Sequence, residues 1–148
     1  MNSGIKIIAN NKKAHFNYFL SDFTEAGIEL KGTEIKSIRV NGATLNDSYV
    51  IVRNGEAEIL NMHIKPYEHG NIFNHDPDRT RKLLLHKKEI LFFEQKIKLG
   101  GFTVVPTKIY FSHGKCKVEI ALAKGKKLYD KRETIKKRDI AREIDRGY

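Results

Sequence analysis

Ser48-Tyr-Val-Ile-Val-Arg53 and Glu56-Ala-Glu-Ile-Leu60 are two apolar segments joined by Asn54-Gly55. Asn-Gly favours a two-residue turn in which both residues adopt positive φ, and this turn matches the twist of two paired strands. The pattern is the strongest short-range hairpin signal in the chain. Residues 48–60 therefore predict a β-hairpin, and the remaining elements are interpreted around it.

Further strands are predicted on both sides of this hairpin. Residues 15–23 alternate between apolar and polar, residues 25–27 predict a turn, and residues 28–30 resume the strand. After the hairpin, residues 83–85 form a short apolar run. Residues 102–111 predict a strand that is interrupted at Pro106, and residues 115–123 again alternate between apolar and polar. The residues that alternate as core positions in this last strand are Cys116, Val118, Ile120 and Leu122.

Two helices and two irregular segments complete the pattern. Residues 33–39 predict a short helix that ends at Asn41-Gly42, and residues 87–99 predict a longer one that ends at Gly100-Gly101. Residues 1–13 read as a polar lead, and residues 66–77 read as a loop. Five or six strands in meander order, with a helix before the last hairpin, predict a mainly β, OB-fold-like closed antiparallel barrel with short helices. A β-sandwich is the alternative.

The last twenty-five residues differ from the rest of the chain. Residues 124–148 hold ten Lys or Arg against five Asp or Glu, which is half of the chain's net charge of +10. Such a segment buries too little apolar surface to offset its ordering entropy, so it is expected to be loose alone. Asp130 and Glu133 have capping-box spacing and predict a helix that forms only on a partner. We therefore divide the chain into a barrel at 1–123 and a basic tail at 124–148; a solvated tail that only raises solubility is the alternative.

Composition narrows the function. A pI near 9.7 favours nucleic acid or an anionic membrane surface as the partner. No apolar run is long enough to span a bilayer, and no signal-peptide pattern is present, so we expect a cytoplasmic protein without membrane association. Cys116 is the single cysteine and is expected in the core, and the six histidines are expected on the surface or in turns. Catalytic and metal-binding motifs are absent, so we predict no catalytic residue, no metal and no cofactor.

Three basic segments favour RNA binding. Asn10-Asn-Lys-Lys13 offers amides and ammonium groups to phosphates or 2′-hydroxyls. Arg79-Thr-Arg-Lys82 places three cations and a hydroxyl beside an apolar strand. Lys108 and Lys117 fall on polar positions of the last two strands and extend one basic face. RNA is only mildly favoured over DNA on these grounds.

Several blocks resemble the small protein B (SmpB) family, the tmRNA-binding proteins of trans-translation, from about Ile8 to the C-terminus. The most specific are Asp76-Pro-Asp-Arg-Thr-Arg-Lys-Leu-Leu-Leu85 and Ala123-Lys-Gly-Lys-Lys-Leu-Tyr-Asp-Lys-Arg132; the others begin at Ile8, Glu25 and Asp47. The resemblance implies an OB-fold barrel that binds the tRNA-like domain of tmRNA. It also implies a tail that enters the decoding centre and empty mRNA channel of the small subunit of a stalled ribosome, with elongation factor Tu in the delivery complex.

The resemblance also assigns residues, motif by motif. The positions expected to contact or support tmRNA are Asn11, Lys12, Lys13, Glu25, Arg79, Thr80, Arg81, Lys82, Leu83 and Leu84. The tail hinge is expected at Lys124, Gly125, Lys126 and Lys127, and the decoding-centre segment at Tyr129, Asp130, Lys131 and Arg132. The basic residues Lys136, Lys137 and Arg138 follow on the tail. Many members carry His at the position of Tyr129, and this tail ends early, at Gly147-Tyr148.

Two other functions are considered. A general OB-type RNA-binding translation factor would lack dependence on tmRNA, and competition between tmRNA and bulk tRNA would reveal it. A ribonuclease-like enzyme is suggested only by scattered His and Glu near the basic loops. A monomer is the default oligomeric state.

Overall fold

The computed structural model describes residues 5–68 and 74–126. The chain forms, in order, β1 (Ile5–Asn10), α1 (Lys12–Asn17), β2 (Tyr18–Ile28), α2 (Gly32–Asn41), β3 (Tyr49–Arg53), β4 (Glu56–Leu60), β5 (Arg81–Leu84), α3 (Lys87–Leu99), β6 (Thr103–Ser112) and β7 (Lys115–Gly125). The predicted tail from Lys127 onward, including its helix, lies outside the described residues.

The sheet closes into a barrel. Its strands follow the order β6-β3-β4-β5-β2-β7, all neighbouring pairs are antiparallel, and β7 pairs back onto β6. β1 adds to β6 outside this ring. The closed antiparallel barrel is therefore confirmed over the sandwich. The meander order is wrong, because β2 lies between β5 and β7 rather than beside the next strand in sequence.

The central hairpin and both predicted helices are confirmed. Arg53 pairs with Glu56, and the two turn residues adopt positive φ, 55° at Asn54 and 76° at Gly55. Positive φ at both positions explains why Asn-Gly stands there. Pro106 lies in β6 where the register with β7 shifts, as expected for a residue without an N–H.

Residues 5–28 differ from the prediction. The polar lead contains β1, and Phe16 lies in α1 rather than in a strand. The helix begins here because the Asn11 side chain accepts a hydrogen bond from the Ala14 amide at 3.1 Å, which caps it. The turn predicted at 25–27 is absent because β2 runs through it; the irregularity comes earlier, as a bulge between Ser21 and Thr24.

A continuous apolar cluster fills most of the barrel interior. Ile59, Val104, Ile109, Val118 and Ile120 have no exposed surface, and Ile38 of α2 and Phe93 of α3 join the same cluster. Cys116 packs partly buried against this cluster, as predicted, and burial raises the pKa of its thiol to about 12.

Among the described histidines, which were expected on the surface or in turns, His75 is buried in the segment before β5. His75 is 5% exposed, and its ring nitrogens lie 2.9 Å from Thr33 Oγ1 and 2.8 Å from the Ile64 carbonyl oxygen. These two polar partners compensate the burial of the ring. His75 therefore ties the segment before β5 to α2 and to the barrel.

Candidate nucleic-acid interface

A groove of about 600 Å³ runs over the outer face of β2, β5 and β7. We call it the outer groove; Glu25, Gly27, Lys82, Leu84, His86 and Lys117 are among the residues that line it. Strand pairing brings these residues together, since Gly27 lies opposite both Leu84 and Lys117. Glu25, Lys82, Leu84 and Lys117, predicted from separate parts of the sequence, thus meet at one surface.

Leu84 lies across β2 because its neighbour there is glycine. A Cβ added at Gly27 would lie 3.3 Å from the Leu84 Cβ, closer than side chains usually approach. Leu84 remains 48% exposed, whereas the adjacent Leu83 is 1% exposed and belongs to the core. The groove therefore offers an apolar side chain to a ligand, and Leu83 supports it from inside the barrel.

Glu25 is fixed by two partners from the last hairpin. The Tyr110 hydroxyl donates to Glu25 Oε1 at 2.6 Å, and Lys117 Nζ lies 3.9 Å from Glu25 Oε2. Burial raises the pKa of Tyr110, and the neighbouring Glu25 carboxylate raises it further, so the phenol stays a donor. The carboxylate keeps oxygen lone pairs free for base amino or ribose hydroxyl donors.

The lysines of this face are paired with carboxylates. Lys108 Nζ lies 3.9 Å from Glu119 Oε1, which also accepts a hydrogen bond from Thr107 Oγ1 at 2.8 Å. Lys82 Nζ lies 3.3 Å from Glu56 Oε2. β6 and β7 place Lys108 and Lys117 on the same face, as predicted, but each cation has an acid beside it. The groove is a mosaic of both signs rather than a uniformly basic surface.

Arg81 is inside the barrel, so of the two roles expected for it, contact with tmRNA or support, its position fits support. Its side chain has no exposed surface, and its Nε donates to Glu34 Oε2 at 2.8 Å. Its other nitrogens donate to the carbonyl oxygens of Met62, Arg79 and Pro77. Because all three nitrogens are occupied by protein acceptors, Arg81 supports β5 and the segment before it.

Glu34 joins the two arginines of this segment. It accepts from Arg79 through both oxygens, at 2.7 and 3.1 Å, and from the Lys31 amide at 2.7 Å. Burial alone would raise the pKa of Glu34, but hydrogen bonds from Arg79, Lys31 and Arg81 outweigh it and lower the pKa to about 2. The Glu34 carboxylate raises the pKa of Arg79, and burial lowers that of Arg81. Arg79 keeps some exposed surface at the barrel edge, and Thr80 is exposed beside it.

Asn11 also proves structural. It is 1% exposed, and its Nδ2 donates to the carbonyl oxygens of Leu45 at 3.2 Å and Pro106 at 2.8 Å. Its amide is therefore not free for a phosphate, contrary to the expectation from sequence. Lys12 and Lys13 are exposed, and Lys13 Nζ lies 3.1 Å from Asp47 Oδ1. Lys13 lines a second cleft of about 350 Å³, which is distinct from the outer groove.

The predicted hinge begins inside the barrel. Lys124 and Gly125 belong to β7 and pair with Phe19 and Tyr18, and the Lys126 amide donates to the Asn17 carbonyl oxygen at 3.0 Å. Strand pairing thus continues past the predicted boundary at Ala123. Lys127 and the other predicted tail residues, Tyr129 to Arg138, lie outside the described residues.

Sequence reasoning missed three members of the site. Glu34 is the buried anion, Tyr110 is the donor to Glu25, and Gly27 gives Leu84 its position. The alternation of residues 108–111 and 115–123 would have placed Tyr110 opposite a residue near Lys117. Glu34 lies in the first turn of α2, but its two arginine partners lie more than forty positions away and could not be found from local sequence.

The described part of the chain contains neither a metal-binding cluster nor a membrane-spanning helix. Within residues 5–68 and 74–126, no group of three or more His, Cys, Asp or Glu side chains has the arrangement of a metal site. No helix there is both long and apolar enough to cross a membrane.

Comparison with known proteins gives a consistent result. A family model described as SmpB protein matches residues 8–148. The SsrA-binding protein of Fervidobacterium nodosum is 60% identical over 141 residues, which is 95% of each chain. That of Malacoplasma penetrans is 61% identical over 139 residues, covering 94% of this chain and 95% of the relative. A solved structure described as "tmRNA-SmpB: a journey to the center of the bacterial ribosome" superposes with a TM-score of 0.70 at 45% identity, over 84% of this chain and 87% of that chain.

Proposed function

Because this chain belongs to the SmpB protein family, we propose that it is an RNA-binding adaptor for trans-translation. It binds the tRNA-like domain of tmRNA through the outer groove and delivers tmRNA to stalled ribosomes. The observation that carries the proposal is the convergence of Glu25, Leu84 and Lys117 on one outer face of the barrel. The similarity to SsrA-binding proteins and to a tmRNA-SmpB structure supports it.

Each groove residue offers a different contact to RNA. Leu84 supplies an apolar surface for an unstacked base or a ribose, since sequence-specific recognition of RNA uses bases that are not paired. Glu25 accepts hydrogen bonds, which a phosphate cannot donate, so it selects base edges or 2′-hydroxyls. Lys82 and Lys117 provide cations for the backbone. A mosaic of this kind favours a shaped RNA over any polyanion.

The buried residues hold these contacts in place. Glu34, Arg79 and Arg81 fix the start of β5, which carries Lys82 and Leu84. Asn11 caps α1 and bonds to the Pro106 carbonyl oxygen beside the β6 bulge. These residues support RNA binding through the shape of the barrel. This interpretation replaces direct RNA contact for Asn11 and Arg81.

The tail carries the second half of the proposal. Lys127, Tyr129, Asp130, Lys131, Arg132, Lys136, Lys137 and Arg138 would enter the decoding centre and the empty mRNA channel of the small subunit, so the tail senses the absence of mRNA. Stacking of Tyr129 on a base would contribute about 1–3 kcal/mol. The protein would act as a cytoplasmic monomer, with elongation factor Tu in the delivery complex.

Removal of residues 127–148 separates the two parts. The truncated chain should bind the tRNA-like domain of tmRNA with nearly the affinity of the full chain and should fail to support tagging on stalled ribosomes. Equal loss of both activities would contradict the division into barrel and tail.

A charge-matched pair tests the groove in a binding titration with the labelled tRNA-like domain. Glu25→Gln should weaken binding, whereas Asp22→Asn, on the same strand, removes the same charge outside the groove and should not. Asn is compatible with the positive φ of 55° at Asp22. Competition by bulk tRNA at equal concentration would instead favour a general RNA-binding translation factor.

A further inference from the structure

Three phenylalanines and three lysines come together where β7 ends. Lys126 Nζ lies 5.3 Å from the centroid of the Phe19 ring, and Lys124 Nζ lies 5.9 Å from that of Phe102. Lys96 Nζ lies 5.6 Å from the Phe92 ring and 5.8 Å from the Phe102 ring. We call these six residues the aromatic–lysine cluster. The pairing of Phe19 with Lys124 joins β2 to β7, and the Phe102 ring, which both Lys124 and Lys96 approach, joins them to α3.

Two lysines of this cluster, Lys96 and Lys124, have no acidic partner in the described part of the chain. In contrast, Lys82, Lys108 and Lys117 of the outer face each have one. The aromatic rings attract the ammonium groups without neutralising them. A positive potential therefore remains at this end of the barrel.

One ring of the cluster, Phe19, is open to a ligand, whereas Phe92 and Phe102 pack partly buried against the core. Phe19 is 61% exposed, so most of this large apolar side chain lies in water rather than in the core. Exposed aromatic rings next to cations are the arrangement by which proteins hold single-stranded nucleic acid, because bases stack on the rings while phosphates meet the cations. An anion without an aromatic face would use the lysines but leave Phe19 exposed.

We propose that the aromatic–lysine cluster is a second RNA-binding surface, which holds an unpaired RNA segment by stacking on Phe19 and by phosphate contacts to Lys96 and Lys124. It shares none of its six residues with the lining of the outer groove. The protein would thus hold a structured RNA in the groove and a single strand at the cluster simultaneously. The cluster would thus add binding of a single strand to the proposed adaptor function, on which this role rests.

The test uses the full chain and a fluorescein-labelled oligoadenylate of about twelve nucleotides, a length within the site size of single-strand binders. Phe19→Ala should weaken its binding about tenfold, and Phe19→Trp, which keeps a ring, should retain it. Lys96→Ala should lower the slope of log affinity against log salt by about 0.7, the value for one lost contact to a single strand. Unchanged affinity in both Phe19→Ala and Lys96→Ala would overturn the proposal.

Matched controls separate this surface from general effects. Lys98→Ala removes a lysine of the same helix that faces Glu94, and Val40→Ala removes an exposed apolar side chain on α2; neither should alter strand binding. If an oligoglutamate peptide displaces the oligoadenylate as well as unlabelled RNA does, the surface is an anion site without base recognition and the proposal is wrong.

A parallel titration with the tRNA-like domain of tmRNA distinguishes this proposal from the proposed function. Phe19→Ala should leave that affinity unchanged while Glu25→Gln lowers it. The wild-type chain could fail to bind the tRNA-like domain while Phe19-dependent binding of the oligoadenylate is intact. That result would contradict the role of the groove and would not contradict the role of the cluster. Loss of both affinities in Phe19→Ala, with an unchanged thermal unfolding midpoint, would show that the two surfaces are one site and overturn their separation.

Discussion

Arg81 Nε donates to Glu34 Oε2 at 2.8 Å, and neither side chain has any exposed surface. The pair connects α2 to β5, and Arg79 binds the same carboxylate from the barrel edge. The basic segment at residues 79–82 therefore uses two of its three cations to bind an internal carboxylate. This pairing fixes the strand that carries the groove residues Lys82 and Leu84.

Glu34→Gln should destabilise the protein by about 3–5 kcal/mol, because it leaves the Arg81 guanidinium buried without a countercharge. Denaturant unfolding at neutral pH measures the effect. Glu58→Gln serves as the control, since Glu58 pairs with the exposed Arg53 at 2.7 Å, and such a surface pair contributes about 0–1 kcal/mol. Equal losses of unfolding free energy in the two variants would show that burial of the Glu34–Arg81 pair does not increase its contribution to stability.

Acid should weaken the fold through Glu34. Its pKa falls from 4.5 to about 2 on folding, so the folded state binds the proton less readily than the unfolded state. The stabilisation is present above about pH 4.5 and is lost as pH falls toward 2. A carbon-13 NMR titration of the Glu34 side-chain carboxyl should give a midpoint near 2. A midpoint near that of an exposed glutamate would show that the arginines do not hold its charge.

Gly27→Ala should weaken binding of the tRNA-like domain several-fold with a smaller effect on stability. The new Cβ meets Leu84 at 3.3 Å and displaces an exposed side chain of the groove rather than a core residue. Gly32→Ala, at the start of α2, has nothing within 4 Å of its new Cβ and should leave binding unchanged. Isothermal titration and thermal unfolding of both variants provide the comparison. An unaffected Gly27→Ala would remove Leu84 from the interface.

Asn11→Ala should lower the free energy of unfolding by about 1–3 kcal/mol. It removes the cap of α1 and leaves the buried carbonyl oxygens of Leu45 and Pro106 without the donor that Asn11 supplies. Asn10→Ala, at the exposed end of β1, should change stability little. Thermal unfolding of both variants measures the difference. A loss of RNA affinity in Asn11→Ala at unchanged stability would show instead that Asn11 contacts RNA directly.

The arginine-rich block shows how far the sequence predicts the site. Local pattern identified Arg79, Arg81 and Lys82 as cations beside a strand, and strand pairing then divided them. Arg81 faces the interior with Leu83, and Lys82 faces the groove with Leu84. Strand alternation alone predicts two faces, but which of them is interior depends on β2 and β4 as neighbours. The distant Glu34 makes burial of an arginine possible at all.

Residues adjacent in the sequence determined the β-hairpin at 49–60, both longer helices, the break at Pro106 and the basic character of the chain. These features depend on turn geometry, apolar periodicity and charge, which act over a few residues. Only the tertiary structure decided that β2 lies between β5 and β7, that Glu25 meets Tyr110, and that Arg81 and Asn11 are internal. Those outcomes depend on strands that close a barrel across long separations, and burial of a polar group is possible only where the closed fold supplies its partner.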